Sequence, residues 1–250
     1  MCFTASGRAP LPMRARAWHH PPMCGRFSLH ANPEVIALAF RLGIAPEWNA
    51  RYNITPSSKI VIVRADAAQG RVAALFKWGL IPGWAKDPAI GNKLANARGE
   101  TVDEKPSFRN AFRRSRCLIP ASGFYEWKTV AGRRQPYYMH PVGAPLFAIA
   151  GITERWQGPD GVVETCAIIT TGPNGVMRDI HDRMPVILAP DDYDVWLDPR
   201  TQSAAALKPL IKPCADSTMA AHAVSTRVNA PRHDDAGLIE PLQTGGPGAD

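Results

Sequence analysis

The sequence predicts an α+β fold: a single domain built on mixed, mostly antiparallel β-sheet, barrel-like, with peripheral helices. Two observations predict it. Short runs rich in β-branched and aromatic residues recur along the chain, most of them separated by Gly or Pro. Helical segments are few and scattered among these runs, and do not alternate with them as a βαβ array requires.

The ordered chain is expected to begin at Met23-Cys24-Gly25-Arg26-Phe27. A helix follows. Asn32 caps it, Pro33 sits in its first turn, Ile36, Ala39, Phe40 and Leu42 form its apolar face, and Gly43 ends it. Residues 59–64 (KIVIVR) and 71–76 (RVAALF) read as a hairpin across a short polar segment ending in Gly70. Pro82, Gly83 and Pro88 mark a loop around Trp78 and Trp84. A short helix is expected over 107–114, then strands over 117–119, 124–128, 136–140, 146–149 and 165–170. A capped helical turn is expected over 174–180, an extended stretch over 185–188, and helices over 191–197 and 204–211. No internal repeat is visible. Residues 1–22 read as an extension outside the fold, residues 23–242 as the domain, and residues 243–250, rich in Gly, as a mobile tail.

Composition narrows the function classes. The chain has 250 residues, 45% hydrophobic and 20% charged, which is ordinary for a globular protein. Lys and Arg number 29 against 22 Asp and Glu, a net charge of +7 that favours polyanionic partners without naming one. The five cysteines, at 2, 24, 117, 166 and 214, form no Cys-x-x-Cys pair, so neither a zinc ribbon nor a disulfide framework is indicated. They read as mostly buried thiols in a reducing cytosol. No apolar run approaches the ~18 residues that cross a bilayer. The first 22 residues carry Arg8, Arg14 and Arg16 but no continuous apolar core, which argues against a secretory signal.

Four segments stand out together: Met-Cys-Gly-Arg at 23–26, Asn-Ala-Arg-Gly-Glu at 96–100, Gly-Phe-Tyr-Glu-Trp at 123–127 and His-Asp-Arg-Met-Pro at 181–185. Singly, each has a plain structural explanation: a core cysteine, a solvent-facing glutamate, a surface polar cluster. In this order and spacing, from Met23 to about Leu242, they resemble the SOS-response-associated peptidase family, also described as abasic-site processing proteins. The stretches 51–56 (RYNITP), 77–82 (KWGLIP) and Val224-Ser225 resemble family segments as well. The resemblance implies that Cys24 is the nucleophile, that Asn96, Glu126 and His181 are catalytic, and that Arg98 contacts phosphate. It implies a protein that binds single-stranded DNA, links covalently to abasic sites, and removes its own leading Met. Strand cleavage at the abasic site (lyase activity) and a cytoplasmic, nucleoid-associated monomer are further expectations. No cofactor, metal or membrane is called for.

The residue chemistry points the same way. An N-terminal Cys bears an amine and a thiol on adjacent carbons, and an open abasic sugar bears an aldehyde. Imine formation followed by thiol addition closes a five-membered thiazolidine, with the high effective concentration of an intramolecular step. An α-amine pKa near ~8 leaves an unprotonated fraction at neutral pH. Ring opening of the sugar needs an acid–base group, and burial of Glu126 among Phe124, Tyr125 and Trp127 raises a carboxyl toward that task. His181 offers an imidazole that can shuttle a proton. Asn96 offers neutral donors and an acceptor.

Arg26, Arg98 and Arg183 lie in or beside the reactive segments and suit phosphate contact, and Arg109, Arg113, Arg114 and Arg116 form a denser basic run. The alternative for that run is a solvated helix face. Trp78 and Trp84 suit stacking on bases, with core packing as the alternative.

One feature departs from the family pattern. With Met1 as the start, Cys24 has no free amine. Cys2 also follows a Met, but Phe3-Thr4 does not match Gly25-Arg26. Translation from Met23, cleavage after Met23, or loss of the covalent chemistry with DNA binding retained would each account for it. Two other functions compete: a thiol peptidase or amidase with His181 as base and Glu126 orienting it, and a noncovalent single-strand-binding module.

Overall fold

The computed structural model describes residues 24–243. The expectations for residues 1–22 and for the tail from 244 onward lie outside the described residues. The described chain is an α+β domain. Its elements run β1 (Phe27–Leu29), α1 (Pro33–Phe40), β2 (Arg51–Ile54), β3 (Lys59–Asp66), β4 (Gly70–Trp78), β5 (Asn96–Arg98), α2 (Arg109–Arg114), β6 (Arg116–Ala121), β7 (Gly123–Val130) and β8 (Arg133–Pro141). They continue with β9 (Phe147–Gly158), β10 (Gly161–Thr171), β11 (Met184–Pro185), α3 (Tyr193–Leu197), α4 (Ala204–Leu207) and β12 (Met219–Ala223).

Two sheets form. One has five strands in the order β12-β8-β7-β1-β2, all antiparallel. The other closes on itself through β10-β4-β3-β6-β9 and back to β10, giving a five-stranded barrel. Only the β4–β10 seam of that ring is parallel. Strands β5 and β11 are attached to β10 outside the ring. Closure leaves Ile60–Val63 of β3 and all of β6 buried, so these strands are apolar almost without alternation. A single core cluster joins the sheets: Phe27, Leu29, Phe124 and Met139 from the five-stranded sheet pack with Ile62, Leu118, Ile149 and Ile169 of the barrel.

The hairpin of β7 and β8 is closed by two residues. Val130 pairs with Arg133, and Ala131 (φ 47°) and Gly132 (φ 76°) both adopt left-handed conformations, as a type I′ turn requires. Gly132 takes this conformation freely, while Ala131 pays for its Cβ.

Several sequence expectations are corrected. Helix α1 is capped by Asn32 as expected, with its side chain accepting from the Val35 amide at 2.9 Å, but it ends at Arg41 (φ 54°), not at Gly43. The amides of Arg41 and Leu42 satisfy the last carbonyls, at Leu38 and Ala37, so the helix is closed before the glycine is reached. The helix expected over 204–211 splits into α4 and a 3₁₀ turn at Lys208–Leu210, since Pro209 lacks the amide that would continue it. Strand β9 reaches Gly158, far beyond the expected 149, because its polar second half pairs with β10 out to the hairpin tip. Trp78 is fully buried, packed edge-on against Phe27 at 5.3 Å, with its indole N–H donated to the Ala95 carbonyl at 2.9 Å. No face of it is open to a base.

Arg116 is likewise taken out of the basic run. Its side chain is buried and donates to the carbonyls of Phe112, Arg113, Trp196, Asp198 and Thr201 at 2.5–2.9 Å. Burial pulls its pKa down to about 10. The guanidinium stitches the ends of α2 and α3 to the barrel through acceptors that have few other partners. Arg116→Met should therefore cost about 2–4 kcal/mol, chiefly through carbonyls left without a donor. Urea unfolding measures it, and an unchanged midpoint would show that these bonds are replaceable by water.

Candidate functional site

The reactive segments converge where the two sheets meet. Cys24 precedes β1, the strand flanked by β7 and β2, and the Tyr125 amide of β7 donates to the Arg26 carbonyl at 3.0 Å. This pairing brings Glu126 to the start of β1. The Cys24 backbone nitrogen donates to Glu126 Oε1 at 2.6 Å, a buried contact. From the other sheet, β5 presents Asn96, whose side-chain amide donates to the Cys24 carbonyl at 3.4 Å. Cys24 is thus gripped by its backbone from both sides and is 3% exposed. Its own φ is 50°, in the left-handed region that an L-residue rarely adopts.

His181 arrives from the loop after β10. Asn174 organises that loop: its side-chain oxygen accepts from the Met177 amide at 3.0 Å, its carbonyl accepts from Arg178, and the His181 amide donates to Met177 at 2.8 Å. The turn expected over 174–180 is present and serves to aim the histidine. His181 Nδ1 accepts from the Arg183 amide at 3.1 Å, so in the neutral ring the proton sits on Nε2. That nitrogen stands 3.9 Å from Glu126 Oε2, an electrostatic approach too long for a hydrogen bond. Asp182 lies 3.0 Å from Nδ1 on the exposed side.

Burial pushes the Cys24 thiol well above its usual range, and the neighbouring Glu126 carboxylate and its hydrogen bond add to this, while Arg183 opposes it. Burial also raises the Glu126 carboxyl, against the pull of His181 and of the hydrogen bonds from Cys24. In this buried setting the thiol and the carboxyl are both shifted toward their neutral forms.

The arginines fall into three situations. Arg98 is exposed at the end of β5. Arg26 is half-buried and donates to Asn53 Oδ1 at 2.7 Å and to the carbonyls of Val228 and Asn229. Asn53 in turn donates to Val228, Ala230 and His233, so this network ties the C-terminal segment across β2. Arg183 pairs with both carboxylate oxygens of Glu100 and donates to the carbonyl and hydroxyl of Thr170. Trp84 is 60% exposed. Sequence reasoning missed Glu100, Asn174 and Thr170 as parts of the site. Glu100 lay in a segment singled out for its neighbours, and nothing in its spacing marked it. Among the described residues, no group of three or more His, Cys, Asp or Glu could hold a metal ion, and no helix is long and apolar enough to cross a membrane.

The family model for the SOS response associated peptidase (SRAP) matches residues 23–231. The chain belongs to this family. It is 43% identical over 223 residues to the abasic site processing protein YoqW of Bacillus subtilis, covering 87% of this chain and 99% of that one. Against the abasic site processing protein HMCES of Xenopus tropicalis it is 31% identical over 259 residues, covering 85% of this chain and 76% of the relative. A crystal structure of a Bacteroides thetaiotaomicron protein superposes with a TM-score of 0.78 at 27% identity, over 88% of this chain and all of that one. The family match opens on Met23 and Cys24, and all four converging side chains lie inside it.

A pH dependence follows from Glu126. Its carboxyl is raised in the folded chain, so ionising it opposes folding. The stability it permits is fully present below the ordinary carboxylate pKa and is lost as pH rises through the elevated one. In the chain as encoded, where the Cys24 nitrogen is an amide, Glu126→Gln keeps an acceptor and discards the charge. This variant should melt above the parent at pH 8, with the gap closing as the pH falls. Parallel melting curves across that range would show that Glu126 ionises without cost.

Proposed function

We propose that this protein captures abasic sites in single-stranded DNA covalently, with Cys24 acting as an N-terminal nucleophile once nothing precedes it. The observation that carries the reading is the 2.6 Å contact between the Cys24 nitrogen and Glu126 Oε1, with His181 on the carboxylate's other oxygen. An acid–base pair aimed at a backbone nitrogen has little purpose beside an ordinary peptide bond, and a clear one beside an amine. The names of the curated relatives, abasic site processing proteins, supply the substrate class.

In this reading the chain starts at Met23 and loses it, or is cleaved after it. The α-amine attacks the aldehyde of the open sugar, and water leaves as the imine forms. The thiol then adds across the C=N bond, giving the thiazolidine with its sulfur–carbon bond and a secondary amine. Glu126 delivers a proton during sugar-ring opening and takes one from the nitrogen once the amine has added to the aldehyde. His181 relays protons at the other carboxylate oxygen. The thiol adds in its neutral form, which suits a buried cysteine whose proton passes to nitrogen in the same step. The left-handed φ of Cys24 favours the same conclusion, since a residue with no preceding carbonyl carries no such strain. Arg98, exposed at the end of the strand that carries Asn96, contacts phosphate, Trp84, exposed in the loop after β4, contacts base farther along the strand, and the imine is the natural branch point for lyase chemistry.

A second reading attaches to the same contact. Attack of the Cys24 thiol on the carbonyl of residue 23 would give a thioester, with the Cys24 nitrogen leaving as an amine protonated by Glu126, and water would then release the preceding segment. This confines the peptidase reading to one bond in the chain itself.

Denaturing electrophoresis with an abasic single-stranded oligonucleotide tests the proposal. A shifted band should appear with the parent and vanish with Cys24→Ala. Glu126→Gln and His181→Ala should slow its appearance by ~10²–10⁴-fold while leaving the affinity for undamaged strand nearly intact. Intact mass of the crosslinking species should correspond to a chain beginning at Cys24. A crosslink that survives Cys24→Ala, or one formed by a chain retaining Met1 through Met23, overturns the thiazolidine mechanism.

A further inference from the structure

The Arg183–Glu100 pair is lopsided. Arg183 is anchored from behind: its side chain is 13% exposed, and its NH2 donates to the Thr170 carbonyl at 2.8 Å and hydroxyl at 3.1 Å, both on β10. Glu100 is the outer partner, 55% exposed, and its carboxylate meets both terminal nitrogens of the guanidinium in a fork. The backbone of Glu100 is fixed independently, since Lys208 Nζ donates to its carbonyl at 2.8 Å and pairs with Asp103 at 2.7 Å. The side chain of Glu100 can therefore leave without unravelling the segment. The pair is also incomplete, because the Arg183 Nε is buried with no hydrogen-bond partner. A carboxylate has two oxygens, and both are used here. The phosphodiester of a DNA backbone presents its two non-bridging oxygens in the same forked manner.

We infer that Glu100 is a built-in substitute for a backbone phosphate, holding Arg183 in place and lowering the affinity for undamaged strand until a DNA phosphate displaces it. This rests on the reading of the protein as a single-strand binder. The charge at Arg183 is neutralised internally before binding, so non-specific strand gains little there. A strand held beside Cys24 by its reacting sugar has its phosphate delivered at high local concentration and wins the exchange. Glu100 is on this account a specificity-determining residue that sets how strongly capture prefers the damaged strand.

Equilibrium binding of an undamaged thymidine oligonucleotide across a salt series is the test, with parent, Glu100→Gln and Glu100→Asp. Glu100→Gln frees a full positive charge, so binding should tighten by about threefold to tenfold at low salt. The log–log salt slope should steepen by roughly 0.7, one more phosphate neutralised. Glu100→Asp should stay close to the parent. Equal or weaker binding by a Glu100→Gln variant that melts like the parent, with no change in slope, makes Glu100 a brace and overturns the inference. Should that variant fail to fold, carboxyl NMR of the parent decides. The Arg183 hydrogen bonds hold the Glu100 carboxyl below its usual range, with smaller help from the Arg183 and Arg98 charges. Capture of an abasic oligonucleotide should bring it back up, and an unmoved titration in the captured complex overturns the inference. A parent that crosslinks abasic strand while both results go against Glu100 leaves the proposed function standing. A parent with no salt-dependent strand binding at all removes both.

Discussion

Strand β10 has two edges and four partners, and the arrangement of the molecule follows from how it divides them. Along one edge, Gly161–Ile168 pairs with β9 and Thr170–Thr171 with β11. Along the other, Thr165–Cys166 pairs with β4 and Ile168–Thr170 with β5. The first half of the strand closes the barrel. The second half, extending past the closure, holds the short strands on which Asn96 and Arg98 sit and the segment that follows His181 and Arg183. A barrel strand that overruns its barrel is a rigid arm, and backbone hydrogen bonds to it fix positions far better than a loop of the same length would. Three-residue β5 has no stability of its own and exists because this arm templates it.

The other half of the centre comes from the five-stranded sheet, where β1 is flanked by β7 and β2. Glu126 is a carboxyl on a central strand, buried, and satisfied by a backbone nitrogen of the neighbouring chain segment. A buried ionisable group costs stability, and such groups cluster at functional sites. Because one wall is built on the barrel and the other on the open sheet, the relative placement of Asn96 and Glu126 depends on the shared core between them. Phe27 against Trp78 is one contact in that join. The tryptophan whose sequence context suggested a base-stacking role thus contributes by setting the spacing of the two walls.

The strands that alternate or run apolar over six or more residues were legible in the sequence, because burial pattern and turn residues agree there. The β3–β4 hairpin and the β7–β8 pair are examples. Strands β1, β2, β5 and β12 were not, since three to five residues carry no period and their pairing is dictated by a partner strand. The four central residues Cys24, Asn96, Glu126 and His181 were picked out as segments through a resemblance, and the structure gathers all four. Charge misled in places. Arg116 and Arg26 look alike in sequence to Arg98, yet their guanidinium groups face inward to carbonyls, and no local signal separates an arginine that caps helix ends from one that meets solvent. Glu100 was passed over because its partner Arg183 lies 83 positions away.

The two-residue turn at Ala131-Gly132 sets a limit on how this chain can vary. Glu126 pairs across the hairpin with Tyr137, five rungs from the turn, and every rung between them is a direct one-to-one match. Side chains on a strand alternate faces, so one residue gained or lost between Glu126 and the turn would carry the carboxyl to the opposite side of the sheet with the rest of the strand intact. Sequence drift at the tip can change which residues make the turn but not how many. Length, in this hairpin, constrains the chain as tightly as the identity of the side chain it aims.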